Sequence, residues 1–275
     1  MRLRAFVIPL LVLATAAVSL LSLHLAGAPK GSIAIQTGAF VLAALVAAPR
    51  RVAGVINALD SRWTSAVILL LACAVLFVGV EIDGARRWLR IGPVLLHPAS
   101  LLGSVLLLAL ARAAGSALSA VLAGAAVLCF GMGNDGAASL AFALGLSGLL
   151  LGERKHWTRL LPLCVLAWCL ATWGWTRPDS LAPVPYVEEI VARTWAVSTL
   201  LGAAAVVLLA MLPLRFLLTA RDAGKRGAGY ALAGFWTGLV LAGLLGNYPI
   251  PVIGYGASPV IGWVLVLRLV SSRSP

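Results

Sequence analysis

Charge is scarce in this chain. Only 11% of its 275 residues are Asp, Glu, Lys or Arg, and just nine of those are acids. A water-exposed surface around a domain of this length needs far more polar residues, so the soluble globular class is excluded. There are three histidines and four cysteines. Cys73, Cys129, Cys164 and Cys169 all sit inside apolar runs, with no CxxC pair and no Cys/His cluster. Zinc-ribbon and iron–sulfur chemistry are therefore excluded, and the thiols read as small hydrophobes. Internal repeats and low-complexity tails are lacking too. The net charge of +12 does not indicate nucleic acid, because the basic residues fall in short segments between apolar runs. That is the pattern of membrane topology and lipid headgroups.

What is abundant is oil: 61% hydrophobic residues and a mean hydropathy of +1.03. Apolar runs of about 17–25 residues recur from end to end, each long enough to cross a bilayer. Ten are expected, near 5–26, 33–48, 64–80, 98–114, 117–133, 137–152, 159–175, 192–214, 228–246 and 256–271. The first could pass for a signal peptide, but it is long and another run follows at once, so it is expected to be retained. The expected fold class is an all-α polytopic membrane protein, with residues 1–275 forming a single transmembrane domain. With the N-terminus inside, fifteen of the twenty-one Lys and Arg residues face the cytoplasm, Arg50, Arg51 and Arg273 among them. Both termini are then cytoplasmic. Six of the nine acids, Asp179 included, face the other way.

Three polar breaks interrupt the oil on that external side. The first, Glu81–Leu101, carries Arg86, Arg87 and Arg90 around Trp88, which is half of the external basic charge and runs against the topological trend. The second is Gly133–Asn134–Asp135–Gly136, where a carboxylate at membrane depth is expensive enough to suggest function. The third holds Glu188 and Glu189.

Four patches carry a family likeness. GARRWLRIG (84–92) with HPASL (97–101), NDGAASL (134–140), PVPYVEEIV (183–191) followed by LLG (200–202), and PIPVIGYGAS (249–258) occur in that order. Together they resemble the signatures of the SEDS family, the FtsW/RodA/SpoVE proteins of bacterial division and elongation. The last patch, PxPxIxYGxS before a terminal span, is the most specific. The departures are also specific. Ser100 and Gly103 stand where the family carries Glu and Lys, His97 replaces Gln, and Glu188 takes the position of the family's catalytic Asp. The external loop near 176–192 is short.

The resemblance implies a peptidoglycan glycosyltransferase in the bacterial cytoplasmic membrane. It would polymerise lipid II at the outer face, in cell division or cell-shape maintenance, beside a class B penicillin-binding transpeptidase. Such chemistry needs a carboxylate base for the acceptor hydroxyl, expected at Glu188 with Glu189 as the fallback. It also needs cations for the leaving pyrophosphate, expected among Arg86, Arg87 and Arg90, with Arg87 foremost by family position and Trp88 as interfacial anchor. His97, Asp135, Tyr255 and Ser258 complete the expected substrate contacts. Asp135 would pair with an external arginine or hold a divalent cation (Mg or Mn). The PIPVIGYGAS break would either offer backbone N–H groups to substrate or simply kink a helix start. Two other readings compete: an inactive SEDS-like scaffold for a transpeptidase, and a transporter of lipid-linked precursors. The transporter ranks last, since the inner halves of the spans offer almost no polar residues.

Overall fold

The computed structural model describes residues 2–47, 61–92, 94–177, 182–222 and 224–271. Arg50, Arg51, Asp179 and Arg273 lie outside these residues. Each of the ten apolar runs is mainly helical over its described part, though Val80 at the end of one begins a strand and Ser198 interrupts another. In chain order the helices are α1 (Arg2–Leu25), α2 (Lys30–Ala47), α3 (Ser61–Val78), α4 (Pro98–Arg112), α5 (Ala117–Met132), α6 (Gly136–Gly152), α7 (Trp157–Trp175), α8 (Ile190–Val197), α9 (Thr199–Thr219), α10 (Arg226–Leu245) and α11 (Ala257–Ser271). A 3₁₀ turn, Arg154–His156, joins α6 to α7.

By length and composition, four helices among the described residues qualify as membrane spans: α1, α3, α9 and α10. The count is five when α6 and α7, bent by 106° at their junction, are taken as one broken span. Four more apolar helices, α2, α4, α5 and α11, are shorter. The chain is a multi-pass helical membrane protein.

The run at 192–214 is not one helix. Ser198 adopts an extended backbone (φ −151°, ψ 106°) between α8 and α9, and its Oγ accepts the Leu201 N–H as an N-cap. That satisfies an orphan donor at the helix start.

α10 packs along α6, and α6 in turn packs on α7; α3 lies on α5, while α11 bridges α2 and α4. The α6–α10 approach depends on glycine. A Cβ on Gly148 would run into the carbonyl of Tyr230, and one on Gly234 into that of Leu144. Small residues let the two backbones close on each other where lipid supplies no hydrophobic drive. Beside that seam Phe130 stacks on Phe142, which meets Phe235 edge-on.

The helices alone do not complete the fold. Within the first polar break the chain forms a three-stranded antiparallel sheet, β1 (Val80–Ile82), β2 (Ala85–Ile91) and β3 (Val94–Leu96), in that order. The all-α class holds for the body of the chain, and this small ribbon is an addition to it that the sequence analysis did not expect. Asp83–Gly84 turns β1 into β2 with φ of 48° and 81°. Positive φ at both central residues is the hairpin geometry that matches strand twist, and Asp-Gly is a preferred pair for it. Gly92 (φ 58°) lies in the turn from β2 to β3. Along β2 the side chains alternate, so Ala85 and Arg87 point inward while Arg86 points out.

Candidate functional site

The polar breaks meet at one end of the helices. The Arg86 N–H donates to the Gly133 carbonyl at 3.0 Å, tying the sheet to the α5–α6 turn. The Ile250 N–H donates to the Val187 carbonyl, tying the PIPVIGYGAS turn to the third break. The His97 N–H donates to Ser258 Oγ at 2.8 Å, tying that turn to the first. All four patches thus form one hydrogen-bonded layer.

At its centre is a buried charge cluster. Asp135 is the N-cap of α6: Oδ1 accepts the Ala138 N–H at 3.0 Å, and Oδ2 lies 2.7 Å from His97 Nε2. His97 is itself the N-cap of α4, its Nδ1 accepting the Ser100 N–H at 3.2 Å. An acceptor at Nδ1 places the ring proton on Nε2, facing Asp135. Burial pushes the Asp135 carboxyl up, but its interactions with the His97 ring, Arg87 and the Ala138 amide together outweigh it. They hold the carboxyl below the usual carboxylate range.

Arg87 is only 5% exposed. Its Nε–H donates to the Asn134 carbonyl at 3.0 Å, and Asn134 takes φ 59°. The guanidinium carbon lies 5.8 Å from the Trp88 ring centroid and 5.3 Å from that of Tyr248. Trp175 Nε1 donates to the Gly136 carbonyl and packs on Tyr248. Tyr248 and Trp175 were not expected here. In the sequence Tyr248 carries no signal beyond being a polar-tipped aromatic beside a break.

The expected site residues therefore divide. Arg87, Trp88, His97, Asp135 and Ser258 come together, whereas the other two arginines face outward. Arg86 pairs with Glu81 at 2.7 Å, and Arg90 is exposed near the end of β2. In the third break, Glu188 is half-buried and one carboxylate oxygen accepts the Val184 N–H at 2.7 Å. Glu189 pairs with Arg193 one turn along. Tyr255 meets Tyr186 edge-on, and burial with the neighbouring Tyr186 raises its hydroxyl above the ordinary tyrosine value.

Of the two readings of PIPVIGYGAS, the offer of backbone donors to substrate is corrected for five amides, because protein acceptors take them, that of Ile250 as given above. The Ile253, Gly254 and Tyr255 N–H groups donate to the carbonyls of Pro251, Ile250 and Tyr186, and the Gly256 N–H donates to Gln36 Oε1. Gln36 is the residue the sequence reading passed over. Fully buried in α2, its amide nitrogen also donates to the carbonyls of Val252 and Gly254 and to Ser19 Oγ. Those bonds brace Val252 at φ 66°, a conformation that β-branched side chains rarely adopt. A lone amide inside an apolar run was the available signal.

A divalent cation does not fit Asp135 as arranged. Both oxygens are engaged, a guanidinium lies close by, and among the described residues no group of three or more His, Cys, Asp or Glu converges.

No family model matches the chain, and no curated protein does. Solved structures do. The rod shape determining protein RodA of Thermus thermophilus aligns at a TM-score of 0.68 with 23% identity, over 96% of this chain and 94% of that one. A chain from a peptidoglycan synthase complex, described for its structural coordination of polymerization and crosslinking, aligns at 0.68 with 24% identity, over 96% and 95%. The fold is RodA-like, that is, SEDS-like.

Proposed function

We propose that this chain is a peptidoglycan glycosyltransferase of the bacterial cytoplasmic membrane, polymerising lipid II on the outer face in cell division or cell-shape maintenance. The observation that carries the reading is the joining of all four SEDS-like patches into one polar layer on a RodA-like fold. Glu188 is the base: it takes the proton from the acceptor sugar hydroxyl as that oxygen attacks the donor anomeric carbon. The bond from that carbon to the pyrophosphate breaks, and the lipid pyrophosphate leaves with the electron pair. Arg90, exposed near the end of β2, meets the developing negative charge, and Arg86 reinforces it. Arg87 is too deeply buried for that task; it positions the sheet against Asn134 and keeps Asp135 ionised. The Asp135–His97 pair holds the starts of α4 and α6 together beneath the substrate. No divalent cation is placed on Asp135. A class B penicillin-binding transpeptidase is the expected partner, since one structural neighbour comes from a complex that couples polymerization to crosslinking.

A gel assay with labelled lipid II tests this. Wild type should give polymer, and Glu188→Gln should lose at least about a hundredfold of the rate, the lower range for a general base. Polymer from both would move the base to Glu189.

The scaffold reading keeps one observation in its favour. Arg87, Asp135 and Ser258 are all buried and engaged with protein partners, as in a layer built for rigidity. It is favoured if neither protein makes polymer even with the transpeptidase present.

A further inference from the structure

At the opposite end of α6 lies a cavity of about 430 Å³ between α6, α9 and α10. α6 has 17 residues, about 26 Å at ~1.5 Å per residue, close to the thickness of the hydrocarbon core. The cavity therefore lies about that far from Asp135, at the end of α6 away from the polar layer. Its polar wall includes Arg154, Arg226 and Tyr230; its apolar wall includes Leu151 and Leu217, both exposed on the helix surface. Neither arginine has an acid partner among the described residues. Arg226 lies 5.6 Å from the Tyr230 ring centroid, which orients its planar fork. Glu153, next to Arg154 in sequence, packs against Gly227 and does not line the cavity.

We propose that this cavity binds one anionic diacyl phospholipid, its phosphodiester held by Arg154 and Arg226 and an acyl chain laid along Leu151 and Leu217. The charge selects an anion, and guanidinium forks suit phosphate oxygens. The exposed leucines select an amphiphile over a soluble phosphate. The volume suits a headgroup and the top of one chain. A site at this end of α6 gives the chain a means of sensing the charge of the leaflet opposite its polar layer, and it does not depend on the glycosyltransferase reading.

Native mass spectrometry of the full chain, released from detergent with equimolar phosphatidylglycerol and phosphatidylcholine, tests the site. Wild type should retain a single phosphatidylglycerol in preference to phosphatidylcholine, by a factor on the order of tenfold. The Arg154→Gln/Arg226→Gln double variant should lose that preference. Lys155→Gln/Arg159→Gln, which removes two exposed cations outside the cavity, should keep it. Equal retention of both lipids by wild type overturns the proposal even if the double variant fails to fold. So does a preference that survives Arg154→Gln/Arg226→Gln, or one that Lys155→Gln/Arg159→Gln abolishes.

Discussion

The two ends of the helices handle charge in opposite ways. At the polar-break end an arginine and an aspartate are buried beside a half-buried histidine, and hydrogen bonds among three of the patches satisfy them. At the other end basic side chains stay near the boundary. Arg112 reaches the Leu269 carbonyl and Lys225 the Val270 carbonyl, each on the last turn of α11, while Arg154 and Arg226 line a cavity. Cations on helix C-terminal carbonyls satisfy orphan acceptors without any carboxylate. One end is rigid because its charges must find each other. The other can stay open because headgroups and water serve its charges.

That contrast can be broken most sharply at Asp135. Asp135→Ala removes one member of a buried pair, strips α6 of its cap and leaves Arg87 buried. The expected loss is about 3–5 kcal/mol, read as a lower unfolding midpoint in detergent. Wild type should also lose stability in acid. The folded carboxyl titrates below its unfolded value of about 3.9, so its contribution is complete above that value and disappears as pH falls through the folded one. The alanine variant should lack that acid-side loss.

Gly136→Ala comes next. The new Cβ would meet the Tyr248 hydroxyl and push the ring from its place over Arg87, costing about 1–3 kcal/mol. The same thermal scan measures it. Smaller still are changes to exposed charges. Arg86→Gln breaks an ion pair with both partners roughly half exposed and should cost no more than about 1 kcal/mol. Arg154→Gln, at the open end, should fall within about 0.5 kcal/mol of wild type. A large loss there would end the contrast between the two ends.

Helix positions were legible because each apolar run needs a helix to satisfy its backbone in lipid. The expected 137–152 differs by one residue from Gly136–Gly152. The break at Ser198 was not read because no Gly or Pro marks it in a largely apolar run; the Ser198–Thr199 pair was the available signal. The sheet was missed for a different reason. Scarce charge in an oily chain directs attention to which residues are polar, whereas the ribbon is announced by Asp83–Gly84 and by alternation along β2. Of the site, the sequence located the patches but not their depth. Arg86, Arg87 and Arg90 look alike in a run, and only the strand period turns one inward and two out.

The contacts of Gln36 have a consequence for how the chain is made. Its hydrogen-bonding partners at Val252, Gly254 and Gly256 lie 216 to 220 residues later. At about 5–20 residues per second, α2 emerges from the ribosome some ten to forty seconds before those partners exist. During that interval an amide destined for a dry interior must be sheltered by water, by Ser19, or by the insertion machinery. The second helix is therefore among the earliest made and the last to be finished, and the final turn of the chain seals it in place.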